Sequence, residues 1–358
     1  MEKQIHGGNI FDKDVLLDYS VNINPLGMPE GVRKAVIQNM DKDETYPDIE
    51  YRRLKAAIAS KEGLSTDEVI CGNGASELIM AVVRAEKPVN CAVAAPSFSG
   101  YERAIKAYGA GIKYYELDSK NGFGYENVCS WLLKSDIQIC FICNPNNPTG
   151  NIVPKDIFRN ILDICKRRNI RLVVDECFLR FHPDYEDISC KRYLSQYDNL
   201  VVINAFTKFY AMAGIRLGYM MCHDVKFLDE VKCQMPEWNI SSIAQRAGIE
   251  ALKDLAYEEK TRVLISEERK YIACELKNTG CEVFPSEADY ITFRLPEKSR
   301  RCNLMEELLR RKILIRSCNS YYNMPSGCYR IAVKKHEDNV YLIKNIREVL
   351  SCKSHDNT

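Results

Sequence analysis

Two basic residues, Lys208 and Arg216, stand a short Gly-bearing loop apart in Phe206-Thr-Lys-Phe-Tyr-Ala-Met-Ala-Gly-Ile-Arg-Leu-Gly-Tyr219. An apolar strand pattern, 199–205, leads into the loop and a second, 217–222, leaves it. An ammonium at a strand end in apolar company is costly to bury unless its charge is removed or used. Forming a Schiff base with an aldehyde uses such a lysine. Arg216 would then hold an anion nearby, and a phosphate matches its planar fork. A basic surface loop would carry the same two residues. Asp175 closes the apolar run Arg171-Leu-Val-Val-Asp175, where a carboxylate needs a cationic partner or serves as a loop acid or helix cap. Gly72-Asn-Gly-Ala-Ser-Glu77 opens a helical pattern after a strand ending at Cys71. The free N–H groups of a helix start suit a phosphate, although a plain N-cap has the same look. Asn144-Pro-Asn-Asn-Pro-Thr-Gly150 follows another apolar run, and Pro and Asn make a turn on their own.

Taken jointly, these segments resemble the class I/II aminotransferase-like enzymes of fold-type I, which depend on pyridoxal 5'-phosphate (PLP). The match rests on Lys208 followed by Gly214-Ile-Arg216-Leu-Gly218, and on 144–150, which reads Asn-Pro-x-Asn-Pro-Thr-Gly. It spans about residues 6–335. The resemblance implies that Lys208 carries PLP and that Arg216, Ala75 and Ser76 hold its phosphate. Asn147 would bond the cofactor's phenolic oxygen, and Phe98 would stack on its ring. Asp175 would pair with the pyridinium nitrogen, which makes the ring a better electron sink. It further implies a homodimer in which Tyr46, in Tyr46-Pro-Asp48, reaches the PLP phosphate of the neighbouring subunit. The chain departs from the pattern in places. Thr207 stands where many relatives have Ser, Ala205 lacks a hydroxyl, and Phe178 occupies a position where aminotransferases of this group commonly place Tyr.

Within that family two phosphate-handling branches are similar: the L-threonine-O-3-phosphate decarboxylases of the cobalamin pathway and the histidinol-phosphate aminotransferases. The segments His6-Gly-Gly-Asn9, Asp18-Tyr-Ser-Val-Asn22-Ile-Asn24 and Lys312-Ile-Leu-Ile-Arg316-Ser-Cys318 look like the decarboxylases, and Phe178 agrees. The substrate expected is a small phosphorylated amino acid. His6 and the Gly7 N–H, at a Gly-rich bend, would hold its phosphate. Asn22, Asn147, Arg316 and Arg330 match further substrate contacts, one arginine near the phosphate and the other near the carboxylate. His6 also fits a loose terminus, and either arginine fits a strand surface. A phosphoserine decarboxylase, one methyl smaller, remains an alternative. A PLP-binding regulator is the non-enzyme alternative, but no basic helix-turn-helix pattern stands at the start of the chain.

Positioning such a site takes a scaffold. Strand-length apolar runs at 69–71, 90–95, 112–117, 137–143, 171–175, 200–205 and 217–222 alternate with helical patterns starting near Ser76, Phe98 and Lys155. This rhythm predicts an α/β fold with a mostly parallel sheet covered on both faces. No Gly-x-Gly-x-x-Gly follows the first strand, so a dinucleotide is not indicated. Beyond about Gln245 the pattern changes to one long helix, 244–278, short strands near Glu282, Tyr290 and Tyr329, and a helix over 303–312. The expected division is an N-terminal segment, 1–43, packing on a small α+β domain, 246–358, with the large PLP-binding domain at 44–245. With 358 residues, more than one domain is expected. Fifty basic against 49 acidic residues give a formal charge of +1, which argues against a nucleic-acid partner. No apolar run reaches the roughly 20 residues of a membrane span, and the first residues lack an apolar signal core, so a cytoplasmic protein is expected. The sixteen cysteines read as reduced, small core residues. Cys140 and Cys143 have metal-ligand spacing, but alternation along a strand sends them to opposite faces, so no metal site is expected.

Overall fold

The computed structural model describes residues 7–38, 44–300 and 302–352. Its strands, in chain order, are β1 (Leu17–Asp18), β2 (Val69–Gly72), β3 (Asn90–Ala95), β4 (Gly111–Glu116), β5 (Ile139–Cys143), β6 (Arg171–Asp175), β7 (Leu200–Ala205) and β8 (Gly218–Met221), followed by β9 (Glu282–Val283), β10 (Tyr290–Arg294), β11 (Ile313–Leu314), β12 (Arg316–Ser317) and β13 (Cys328–Ala332). Seven of them form the main sheet in the order β2-β8-β7-β6-β5-β3-β4. All run parallel except β8, which is antiparallel to both β2 and β7.

The apolar runs are continuous because both faces of this sheet are covered. Along β5, Ile139, Phe141 and Cys143 join one core, with the helices Ala75–Glu86, Ser99–Tyr108 and Val225–Lys232. Cys140 and Ile142 join the other, with Val128–Lys134 and Lys155–Arg167. The two cysteines thus part to opposite faces. No group of residues that could hold a metal ion occurs among those described, and none of the fifteen cysteines whose side chains are described forms a disulfide. No described helix is long and apolar enough to cross a membrane.

The smaller sheet, β12-β13-β10-β9, is antiparallel, and the helix Leu255–Asn278 packs on it. β1 pairs in parallel with β11, so the start of the described chain is stitched to this part of the molecule. The single helix expected over 244–278 is two, Ser242–Ala251 and Leu255–Asn278. Asp254 separates them by accepting the Tyr257 N–H with its side chain, which starts a new helix. The apolar pattern runs on through the break and conceals it. The helix expected over 303–312 covers only Leu304–Leu309, and Lys312 is already in a left-handed conformation at φ 63°.

The smaller sheet is tied across to the larger at the site. The Tyr290 hydroxyl donates to the Asn146 carbonyl at 2.8 Å and the Thr292 hydroxyl to the Pro148 carbonyl. The Asn323 amide donates to the carbonyls of Ala95 (3.0 Å) and Leu117 (2.9 Å).

Candidate active site

In an open parallel sheet, ligands bind beyond the carboxyl ends of the strands. Asp175 ends β6, Asn147 lies just past β5, Phe98 just past β3, and Ala75 and Ser76 just past β2. Lys208 sits in the one-turn helix Phe206–Phe209 directly after β7. Because β8 runs the other way, its start lies at this same edge, which brings Arg216 in. One cavity is lined by all of these residues, together with Gly7, Asn22, Phe178, Thr207, Arg316 and Arg330. Two expected residues are not among them. His6 lies outside the described residues. Tyr46 is 81% exposed, with its ring 5.0 Å from that of Trp238, and it does not line the cavity of its own chain.

Among the described residues, Lys208 is the only lysine lining the cavity. Burial holds its ammonium below the ordinary lysine range; Asp289 opposes this, and Arg330 and Arg216 add to it. Its turn is fixed by the N-terminal segment. The Asn24 N–H donates to the Lys208 carbonyl at 3.1 Å, and the Asn24 amide to the Phe209 carbonyl at 2.7 Å.

Asp175 is buried, yet well bonded. It accepts the Tyr101 hydroxyl at 2.7 Å and the Cys177 N–H at 3.0 Å. Tyr101 stacks on Phe141 at 5.1 Å and meets Phe98 edge-on at 5.5 Å. The carboxylate therefore has a fixed orientation.

Backbone shape sets the opposite end. Gly74, at φ 78°, leads into the helix Ala75–Glu86. A Cβ there would come within 2.6 Å of Arg216 Nη2, and one on Gly218 within 2.7 Å of the Ala75 nitrogen. Arg216 is itself left-handed, at φ 61°, a strain that non-glycine residues sustain where the surroundings enforce it. The helix start and the guanidinium can lie this close only because both glycines lack side chains.

At the third end, Arg330 is buried and donates to Asn147 Oδ1 and, at 2.8 Å, to the Ser20 carbonyl. Asn22 is buried with its Oδ1 unpaired. Arg316 donates to the Ser320 hydroxyl at 2.9 Å and lies over the Tyr321 ring. Gly7 passes so close to Ser20 that a Cβ would come within 2.2 Å of its carbonyl oxygen. The Phe178 ring sits edge-on to Tyr290, 5.1 Å between centroids.

Tyr101, Tyr321 and Asp289 are the residues that motif reading passed over. Tyr101 is three residues beyond Phe98 in a segment already singled out. Asp289 carried the same signal as Asp175, an acid abutting an apolar strand, here Tyr290-Ile-Thr-Phe. Tyr321 gave no signal, since it lies in a polar loop.

A ligand edge crossed by a lysine, a fixed carboxylate and three arginines marks an α/β enzyme that handles anionic small molecules. The chain belongs to the aminotransferase class I and II family, whose model matches residues 14–346. It is 35% identical to the threonine-phosphate decarboxylase of Salmonella typhimurium, over 97% of this chain and 96% of that protein. It is 32% identical to the histidinol-phosphate aminotransferase of Oleidesulfovibrio alaskensis, over 92% of this chain and 86% of that one. Among solved structures, the histidinol-phosphate aminotransferase from Clostridium acetobutylicum superposes with a TM-score of 0.88 at 32% identity, covering 94% of this chain and 99% of that one.

Proposed function

We propose that this chain is a PLP-dependent decarboxylase that converts O-phospho-L-threonine to (R)-1-amino-2-propanol phosphate. The observation that carries the reading is the pair Arg330 and Arg316. Beyond Arg216, which faces the helix start, the cavity has these two further cations, so it suits one ligand with two more anionic groups. A phosphoamino acid has them: an α-carboxylate for buried Arg330 and a phosphate for Arg316, Asn22 and the Gly7 backbone. The 35% identity to a threonine-phosphate decarboxylase over nearly the whole of both chains supports it. So does Phe178, which offers no hydroxyl to the cofactor.

The residues present fit PLP. Lys208 would hold it covalently, Asp175 would pair with its ring nitrogen, and Ala75, Ser76 and Arg216 would hold its phosphate. Phe98 would stack on the ring, with Thr207 and Asn147 at its polar edges. Bound PLP supplies an electron sink for the pair released at the substrate Cα. Which bond at Cα breaks depends on how the carboxylate is held, and Arg330 would set that orientation. The Cα–carboxylate bond would break, CO2 leave, and Cα gain a proton that Lys208 would deliver. No amino-group acceptor is consumed.

Incubation with O-phospho-L-threonine and no keto acid should release CO2, and O-phospho-L-serine run alongside measures the worth of the methyl group, about 1–3 kcal/mol. If histidinol phosphate with 2-oxoglutarate gives glutamate while phosphothreonine yields no CO2, the second reading, a histidinol-phosphate aminotransferase, takes its place. The likeness to the Clostridium acetobutylicum enzyme favours that second reading.

The proposal includes a homodimer in which Tyr46 reaches the partner's site, in keeping with its exposure and its absence from the lining of the cavity of its own chain. Mixing inactive Lys208→Ala protein with an inactive Tyr46→Phe variant should restore part of the activity through hybrid dimers. No recovery, with subunit exchange demonstrated, would place Tyr46 elsewhere.

A further inference from the structure

Arg316 and Arg330 pair directly across β12 and β13, so their side chains leave the same face of this antiparallel ladder. Like charges placed opposite one another repel, and two long side chains can answer that repulsion with many rotamers unless something holds them. Tyr321 touches both. Its hydroxyl lies 3.4 Å from Asn147 Oδ1 and 3.5 Å from Arg330 Nη1. Its ring faces Arg316, whose Cζ is 5.6 Å from the ring centroid. All three side chains line the same cavity. The hydroxyl contacts are at the long limit of a hydrogen bond, whereas a guanidinium within about 6 Å of a ring centroid is attracted to the ring face. The ring is therefore the part of Tyr321 that matters most. Its place is set from the other sheet. The neighbouring Tyr322 hydroxyl donates to Glu116, at the end of β4, at 2.9 Å, and its ring lies 4.6 Å from that of Tyr114. Asn323, left-handed at φ 61°, donates its amide to the Ala95 and Leu117 carbonyls.

We infer that Tyr321 is a specificity-determining residue: a spacer between Arg316 and Arg330 that fixes the separation at which the cavity accepts two anionic groups, and with it the length of the ligand. The arginines come from the small sheet, while the loop that carries the spacer is fastened to the end of the large one. The gap is thus gauged against a part of the molecule to which neither arginine belongs. Each arginine has a second tether that keeps it on its own side. Arg330 donates to the Ser20 carbonyl at 2.8 Å, and Arg316 to the Ser320 hydroxyl at 2.9 Å. A ligand with three carbons from carboxylate to phosphate ester spans the gap extended. One a methylene longer overreaches it and has to coil to meet both guanidinium groups, which costs chain entropy. Without the ring, Arg316 can swing to follow the longer ligand, and the cavity loses its measure of length.

This rests on the reading of the ligand as a phosphoamino acid, and the test keeps the two apart. PLP-loaded protein is titrated by calorimetry with 3-phosphonooxypropanoate and with 4-phosphonooxybutanoate. Both carry a carboxylate and a phosphate ester, they differ by one methylene, and neither has an amino group, so neither is turned over. The unchanged protein should bind the shorter ligand about tenfold or more tightly, the scale on which a pocket sorts a methylene. Tyr321→Ala should bring the two affinities within about threefold of each other. Tyr321→Leu gives the same reading should the Ala variant fold poorly. Tyr321→Phe keeps the ring and should keep the preference. A merely structural role would weaken both ligands alike and leave their ratio where it was, and that result overturns the inference. So does a preference lost in the Phe variant as fully as in Ala, or an unchanged protein that binds the two ligands equally or binds neither. Failure of the decarboxylase reading would be seen separately, as no CO2 from O-phospho-L-threonine, with the ligand ratio still reporting on Tyr321.

Discussion

Lys208→Ala should lower turnover by about 10³-fold or more, the scale of a lost acid–base group, with the covalent contribution on top. The substitution removes the only lysine among the described residues that line the cavity, and none of the others among them replaces its amine. The variant should still fold, because Lys208 contributes mainly its carbonyl to the local structure, through the Asn24 N–H. It should still bind PLP weakly, since Arg216, Ala75, Ser76 and Asp175 are untouched. Borohydride treatment of the unchanged protein with PLP, followed by peptide mapping, should fix the cofactor on the peptide containing Lys208 and on no other. Cofactor fixed to a different lysine sinks the assignment.

The second large effect is expected at Arg330. Truncation to Ala strips the donor from two buried acceptors, Asn147 Oδ1 and the Ser20 carbonyl, and leaves Asp289 with one cation fewer. Breaking a buried charged interaction costs about 3–5 kcal/mol; if that loss is felt in the transition state, kcat/KM should fall by roughly 10²- to 10⁴-fold. Arg330→Lys should recover little, because a single ammonium cannot span both acceptors as the planar fork does. Melting temperature separates a lost contact from a lost fold. A folded Arg330→Ala protein that keeps kcat/KM within about tenfold removes Arg330 from the substrate site.

The parallel-sheet class was legible because both-face burial leaves its mark on composition: β5 reads Ile-Cys-Phe-Ile-Cys with no polar position. Site residues that follow strand ends were legible for the same reason, since a polar group directly after an apolar run stands out. The break at Asp254 was not, because capping needs only one side chain and Asp254 is one acid among many in that region. Tyr321 was hidden for a different reason. It enters the cavity from a polar loop, and its position depends on Asn323 anchoring that loop across the sheets to Ala95 and Leu117. A contact between segments more than two hundred residues apart writes no local pattern. Phe178 and Asn147 were placed by family likeness rather than by periodicity, and Asp289 was overlooked although its signal equalled that of Asp175.

The bond between Arg330 and Asn147 also fixes what the cavity can read. A guanidinium has no acceptor, so the Asn147 oxygen must point to it, and the NH2 must point to the ligand. An amide that in solution offers either face here offers one. Lys208 as an ammonium, Arg216, Arg316 and the helix start at Ala75 present donors as well. The cavity thus sorts molecules by polarity before it sorts them by shape: acceptor oxygens are welcomed at these positions, donors only at Asp175 and the Asn22 oxygen, and a ligand that brings its own N–H groups to the Asn147 position meets donor against donor.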